Sequence, residues 1–401
     1  MMTQGWKPVR IGNICKTNQQ TYSASEKWVS INYLDTGNIT EGRINEIQYF
    51  NLEKDTLPSR ARRKVSVGDI LYSTVRPNQR HYGILKQVLP NMLVSTGFIV
   101  IAVDETVADN NFLYYYLSQD KIVQHLHAIG EQSVSAYPSI KPSDIENLEL
   151  MLPPLDEQRD IGRTLQILDD KIANNTKINH HLEQIAKAIF KSWFIDLEPF
   201  GGEQPPEWRT GRLTDVARYL NGLAMQRFRP ADSEIGLPVL KIKELRQGFC
   251  NPSSERCSLD ISPDYIVRDG DVIFSWSGSL LVDFWCGGDC GLNQHLFKIT
   301  STKYDKWFYY SWTCHYLDQF IAIAADKATT MGHIKREDLE NTKVLIPTEK
   351  DYETIGDLLA PLYEQIVNNR IENRKLTLLR NSLLPRLMSG ELSVVDIQTV
   401  K

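Results

Sequence analysis

The chain has 401 residues, 42% of them apolar and 24% charged, enough for two or three domains that each bury a core. No apolar run approaches bilayer-spanning length and Met1 to Arg10 hold no hydrophobic signal segment, so a cytoplasmic protein with no membrane association is expected. Six cysteines are too sparse for a disulfide framework, and a net charge of −5 counts mildly against nucleic-acid binding without excluding a basic face.

In chain order, residues 1–153 mix short β-like runs with turn signals. Positive charge gathers at Arg60, Arg62, Arg63 and Lys64. Val67-Gly68-Asp69 leads into the apolar run Ile70-Leu71-Tyr72, and Gly97 precedes Phe98-Ile99-Val100-Ile101. A helical run rich in aromatics spans Phe112 to Leu126, so a compact α+β domain is expected. Residues 154–197 then predict one long helix, whose apolar stripe is Ile161, Leu165, Leu168, Ile172, Asn175, Asn179 and Leu182. Steps alternating between four and three are a coiled-coil seam. The alternative is an amphipathic helix lying on its own domain. Residues 198–206, rich in proline and glycine, predict a linker that is neither helix nor strand.

From there the chain repeats itself. Trp6, Arg10, Ile11 and Ile14 fall on Trp208, Arg212, Leu213 and Val216 at one constant offset. The same offset lays Gly68-Asp69-Ile70 over Gly270-Asp271-Val272. A slightly smaller one lays Ile140-Lys141, Asp144 and Pro153 over Ile334-Lys335, Asp338 and Pro347. Residues 207–348 are therefore a second α+β domain, with its own helical run from Phe308 to Ile323. Residues 349–392 are a second long helix. Its stripe, Ile355, Leu359, Leu362, Ile366, Asn369, Asn373 and Leu376, repeats the first residue for residue. Pro361 sits inside that helix, where proline removes a hydrogen bond, which predicts that the helix restarts there with Pro361 in its first turn.

Motifs for catalysis are missing. The sequence has no Gly-x-x-x-x-Gly-Lys-[Ser/Thr] loop, no Gly-x-Gly-x-x-Gly after a strand, no Asn-Pro-Pro-aromatic segment and no Gly-x-Ser-x-Gly. Asp69 and Asp271 lack the acid-x-Lys partner of a nuclease, so each is expected to form the turn into its strand. Cys250, Cys257, Cys286 and Cys290, with His295, offer only one pair at zinc-like spacing and are expected to be free thiols. No catalytic residue, no metal site and no cofactor of the chain's own are expected.

Several segments carry a family likeness. Leu152-Pro153-Pro154-Leu155 with Glu157-Gln158 opens the first long helix, and Ala188-Ile189-Phe190-Lys191-Ser192-Trp193-Phe194-Ile195-Asp196 closes it. Thr329-Thr330-Met331-Gly332-His333-Ile334 precedes the second helix, and Leu383-Leu384-Pro385-Arg386-Leu387-Met388-Ser389-Gly390-Glu391-Leu392 ends it. Together they resemble the specificity subunits of type I restriction-modification systems, over essentially the whole chain. Pro347-Thr348-Glu349-Lys350 departs from the pattern, lacking the double proline and the Glu-Gln.

The resemblance implies an α+β fold with two tandem target recognition domains, separated by two long helices forming an antiparallel coiled coil. It implies a non-catalytic subunit that binds double-stranded DNA, each domain reading one half of a bipartite site. The partners implied are two methyltransferase subunits docked on the helices, carrying S-adenosylmethionine, and motor-nuclease subunits using ATP and Mg. A protein-binding scaffold, or a specificity module of another restriction system, is the alternative.

Specific reading needs hydrogen-bonding side chains on loops that enter the major groove. The first copy offers Arg76, Asn78, Gln79, Arg80 and His81, with Ser133, Ser135 and Tyr137. The second offers Gln226, Arg227 and Arg229, then Trp276, Ser277 and Ser279, then Thr329, Thr330 and His333. Lys141 and Lys335 recur in both copies and are candidates for phosphate contact. If the helices pack antiparallel about the midpoints of their stripes, Asn175 faces Asn373 and Asn179 faces Asn369.

Overall fold

A computed structural model describes residues 5–133, 137–326 and 332–395. The chain divides into two compact units, one of residues 1–170 with 378–401, the other of residues 171–377.

In the first unit one four-stranded sheet has the order Cys15–Thr17, Phe98–Val103, Ile70–Ser73, Tyr82–Ile84, antiparallel throughout. A second has the order Gln48–Asn51, Ser30–Leu34, Met92–Ser95, Ala61–Lys64, with one parallel pairing, between Ser30–Leu34 and Met92–Ser95. Lys7–Arg10 pairs with Glu149–Leu152. The second unit repeats this plan. Its sheets have the orders Arg218–Asn221, Leu296–Thr300, Val272–Ser275, Leu281–Phe284 and Arg256–Cys257, Leu237–Leu240, Cys290–Leu292, Ile266–Val267. The parallel pairing recurs between Leu237–Leu240 and Cys290–Leu292, and Arg209–Arg212 pairs with Lys343–Ile346.

The apolar runs after Gly-Asp are strands covered on both faces. Ile70 and Tyr72 point into one core and Leu71 into another; Val272 and Phe274 are likewise separated from Ile273. Both glycines of the motif have positive φ (+90° at Gly68, +82° at Gly270), which tolerates no side chain cheaply. Asp69 Oδ2 accepts from the Ser66 N–H at 2.7 Å, and Asp271 Oδ2 from the Arg268 N–H at 2.9 Å. The expected turn is there in both copies. Burial raises the Asp69 carboxyl's pKa, against the lowering effect of that hydrogen bond.

Each aromatic helical run is broken in two, into Asn110–Ser118 and Asp120–Glu131, and into Lys306–His315 and Leu317–Asp326. At the first break Gln119 is extended, with ψ 139°. The long helices are Leu155–Phe190, continued by a wide turn at Lys191–Ile195, and Glu349–Met388. Pro361 does not restart the second: the helix runs unbroken through it, anchored on both sides by the buried Leu359, Tyr363 and Ile366. Thr348 supplies the cap that the departing sequence leaves in question, its hydroxyl accepting from the Asp351 N–H at 3.2 Å. The linker is not wholly irregular, since Glu198–Phe200 forms a single 3-10 turn whose proline needs no N–H donor.

The stripe is buried or half-buried, and the two alternatives, seam and core face, both hold along it. Ile161 and Leu165 sit in the core of the first unit beside Leu383 and Leu387. Ile355, Leu359 and Ile366 sit in the core of the second beside Ala186, Phe190 and Phe194. Each helix therefore starts on its own domain while the end of the other completes the same core. The asparagines lie within the second unit. Asn175 donates to Asn373 Oδ1 at 2.9 Å, and Asn369 donates to Asn179 Oδ1 at 2.8 Å. The helices are antiparallel in the expected register. No helix among the described residues is long and apolar enough to cross a membrane.

Candidate DNA interface

In the first unit, four segments meet beyond the end of Ile70–Ser73. Thr74 donates its N–H to the Gly97 carbonyl at 2.8 Å, and Ile140 donates to the Thr74 carbonyl at 2.8 Å. Val75 bridges to Ser139, and Arg76 donates to the Pro138 carbonyl at 2.8 Å. Thr96 in turn donates to the Arg60 carbonyl at 2.8 Å, which brings the end of the basic run to the same place. The second unit repeats these contacts. Trp276 donates to the His295 carbonyl, Ile334 donates to the Trp276 carbonyl at 3.1 Å, and Ser277 bridges to His333. Gly278 donates to the Gly332 carbonyl at 2.9 Å.

The candidate side chains have different fates. Arg76 is exposed, adopts φ +48° and lays its guanidinium 4.9 Å from the ring centre of the exposed Tyr137. Asn78 and Gln79 are exposed, and among the described residues their side chains make no hydrogen bond. Arg80 instead is turned onto its own domain, with Asp120 at 2.7 Å, Glu41 at 3.4 Å and the Tyr82 hydroxyl at 3.4 Å. Burial disfavours its charge, but these partners overcome that and raise its pKa. His81 Nδ1 lies 2.7 Å from the Ile39 carbonyl and 3.2 Å from the Thr40 hydroxyl. Arg80 and His81 hold the loop in place. Ser133 is half-buried, 3.5 Å from the Ser139 hydroxyl. Ser135 lies outside the described residues.

In the second unit, Gln226, Arg227 and Arg229 are exposed around the buried Met225. Their loop is held against the site because Gly222 packs on the Asn293 backbone, where an added Cβ would lie 2.2 Å from the carbonyl oxygen. Trp276 is half-buried and donates Nε1–H to Asn221 at 2.9 Å. Ser277 is buried against His295 Nδ1 at 3.1 Å and braces the loop, whereas Ser279 and His333 are exposed. Thr329 and Thr330 lie outside the described residues.

Lys141 and Lys335 recur for a backbone reason. Each donates its N–H to the Asp three residues on (Asp144, Asp338) at 2.7 Å, which starts the short helices Pro142–Glu146 and Arg336–Glu340. Both side chains are exposed.

Sequence reasoning missed one element. The helix Ile242–Gln247, ended by Gly248 at φ +82°, buries Glu244 and Leu245 and turns Lys243 and Arg246 outward, with the half-buried Gln247 beside them donating its amide to the Phe249 carbonyl. With Ile242 and Ser279 they line a groove of about 390 Å³. The i, i+3, i+4 spacing of those three residues was the available signal. In the first unit the matching place after Ser30–Leu34 holds only the 3-10 turn Thr36–Asn38.

Among the described residues, no three His, Cys, Asp or Glu side chains are grouped to hold a metal ion. The chemistry on display is hydrogen bonding and positive charge on duplicated loops. Residues 3–184 and 205–377 match the family model of the type I restriction modification DNA specificity domain.

The chain belongs to that family.

The two matches coincide with the two copies of the repeat, so the duplication is one family domain occurring twice. The type I restriction enzyme MjaIX specificity subunit of Methanocaldococcus jannaschii is 27% identical over 91% of this chain and 84% of that protein. The type I restriction enzyme HindI specificity subunit of Haemophilus influenzae is 22% identical over 96% of this chain and 99% of that protein. In fold, the chain resembles the crystal structure of a type I restriction-modification system S subunit from M. genitalium. The TM-score is 0.62 at 13% identity, covering 96% of this chain and 97% of that one.

Proposed function

We propose that the chain is the targeting subunit of a type I restriction-modification complex and catalyses no step itself. Each specificity domain reads one half of a bipartite site in double-stranded DNA. The antiparallel helices dock two methyltransferase subunits, which bring S-adenosylmethionine, and restriction subunits bring ATP and Mg for cleavage. The site of action is the cytoplasm.

The carrying observation is the repeated convergence of loops, Thr74 to His81 with Tyr137 to Ile140, and Trp276 to Ser279 with Gly332 to Ile334. Loops braced by buried strands present exposed arginine, glutamine and asparagine, the side chains that read base edges. The net charge of −5 is compatible with this because phosphate contact needs a local basic face rather than a basic total.

Binding to random duplex, titrated with salt, is the test. Affinity should fall linearly on logarithmic axes as salt rises, because each phosphate contact releases a counterion. Absence of binding at low salt would favour a protein-binding scaffold.

A further inference from the structure

We infer that the helix Ile242–Gln247 is a base-reading element of the second specificity domain, with Arg246 and Gln247 determining specificity and Lys243 gripping phosphate. The inference rests on the DNA-reading function proposed above and assigns that function to residues outside the loops considered so far.

Residues three and four apart lie on one face of a helix, so Lys243, Arg246 and Gln247 form a single row along the groove, the two cations exposed and Gln247 half-buried with its amide resting on the Phe249 carbonyl. The opposite face is fixed. Leu245 is buried, and the buried Glu244 accepts a hydrogen bond from the Ser254 hydroxyl at 3.1 Å. Glu244 also accepts from the Gly248 N–H at 2.9 Å through its carbonyl. The row is therefore presented by a rigid support. Among the described residues neither Lys243 nor Arg246 makes an ion pair, and both are exposed. Two neighbouring cations left unneutralised on one helix face, both lining a groove, mark a surface suited to an anion.

The row also faces the right place. It lines the groove whose other wall is Ser279, and Ile242 Cδ1 comes within 3.8 Å of where a Cβ on Gly278 would stand. Asn293 donates to the Leu240 carbonyl at 3.2 Å, tying the strand before the helix to the converged loops. Arginine is the side chain that pairs with both acceptors of guanine, and glutamine pairs with both groups of adenine. Among the described residues the first domain has no such helix at the matching place, so the two half-sites are read by different elements.

The test uses the chain assembled with its methyltransferase subunits, in cells whose methylated bases are mapped and with a duplex carrying the mapped motif. Arg246→Ala and Gln247→Ala should each relax one base position in the second domain's half-site and weaken cognate binding roughly 10- to 100-fold. Arg246→Lys should restore binding to random duplex but not the lost base. Lys243→Ala should weaken all duplexes alike and reduce the salt slope by about one. Unchanged motif and affinity in correctly melting Arg246→Ala and Gln247→Ala complexes would overturn the inference, as would relaxation confined to the other half-site. Were the wild-type complex to show no site preference at all, the proposed function itself would fail first.

Discussion

Asn369 donates its side-chain N–H to Asn179 Oδ1 at 2.8 Å inside the helix pair, while Asn179 donates to the Ile366 carbonyl at 3.1 Å. Gln365 supplies the Asn369 oxygen with a donor at 2.7 Å. Both buried amides, Asn179 and Asn369, have partners, so a slip of one turn would leave an amide against an apolar neighbour. Asn369→Ala should lower stability by about 1–3 kcal/mol, because it strands Asn179 Oδ1. Replacing both by leucine should cost far less or stabilise, while weakening the preference for one register. Thermal unfolding of the two single variants and the double variant measures the difference. Additive losses would contradict the pairing.

Arg76 and Arg80 sit in the same loop and should behave oppositely. Arg76→Ala should weaken DNA binding with little change in melting temperature, since the side chain is exposed and lies over the exposed Tyr137 ring. Arg80→Ala should lower stability modestly, by about 1 kcal/mol or less for a pair this exposed, with the methylated motif retained. Motif mapping beside a melting curve separates the two.

Gly222→Ala should disturb the second domain alone. Its new methyl would meet a backbone carbonyl rather than a flexible side chain, so the loop carrying Gln226, Arg227 and Arg229 must move. Reading of one half-site should blur while the other stays sharp. Wild-type motif in this variant would show that the loop's placement is unimportant.

Among the six thiols, Cys250 should alkylate first under native conditions. The neighbouring Cys290 thiol lowers its pKa despite burial, whereas burial pushes Cys286 up to about 11 and Cys15 and Cys314 up to about 12. Peptide mapping after brief treatment with a maleimide at mild pH checks the order. Faster labelling of Cys15 or Cys286 would contradict it.

The sequence made the fold legible where one residue pattern had one physical meaning. The repeated Gly-Asp segments marked a turn, and the structure shows their carboxylates on backbone donors of that turn; the Ile-Lys-x-x-Asp repeat marked the duplication, and the structure adds that its aspartates start short helices. The matched asparagines gave the helix register. Patterns with two meanings were less legible. The stripe could be a seam or a core face, and it is both, because each domain's core is finished by the other helix's end. Pro361 looked like a break, but packing on both sides carries the helix through. In the candidate site, exposure was invisible: nothing local distinguishes Arg80, which reaches Asp120 far along the chain, from Arg76. Short elements without a counterpart in the other copy, such as Ile242–Gln247, escaped a search guided by duplication.

The central claim is that each specificity domain reads its own half-site. Residues 207–348 should be exchanged for the equivalent segment of a family member with a known, different target, and methylated bases mapped across the host genome. One half of the motif should change to that of the donor while the other half is retained. A motif altered in both halves, or in neither, would contradict the account.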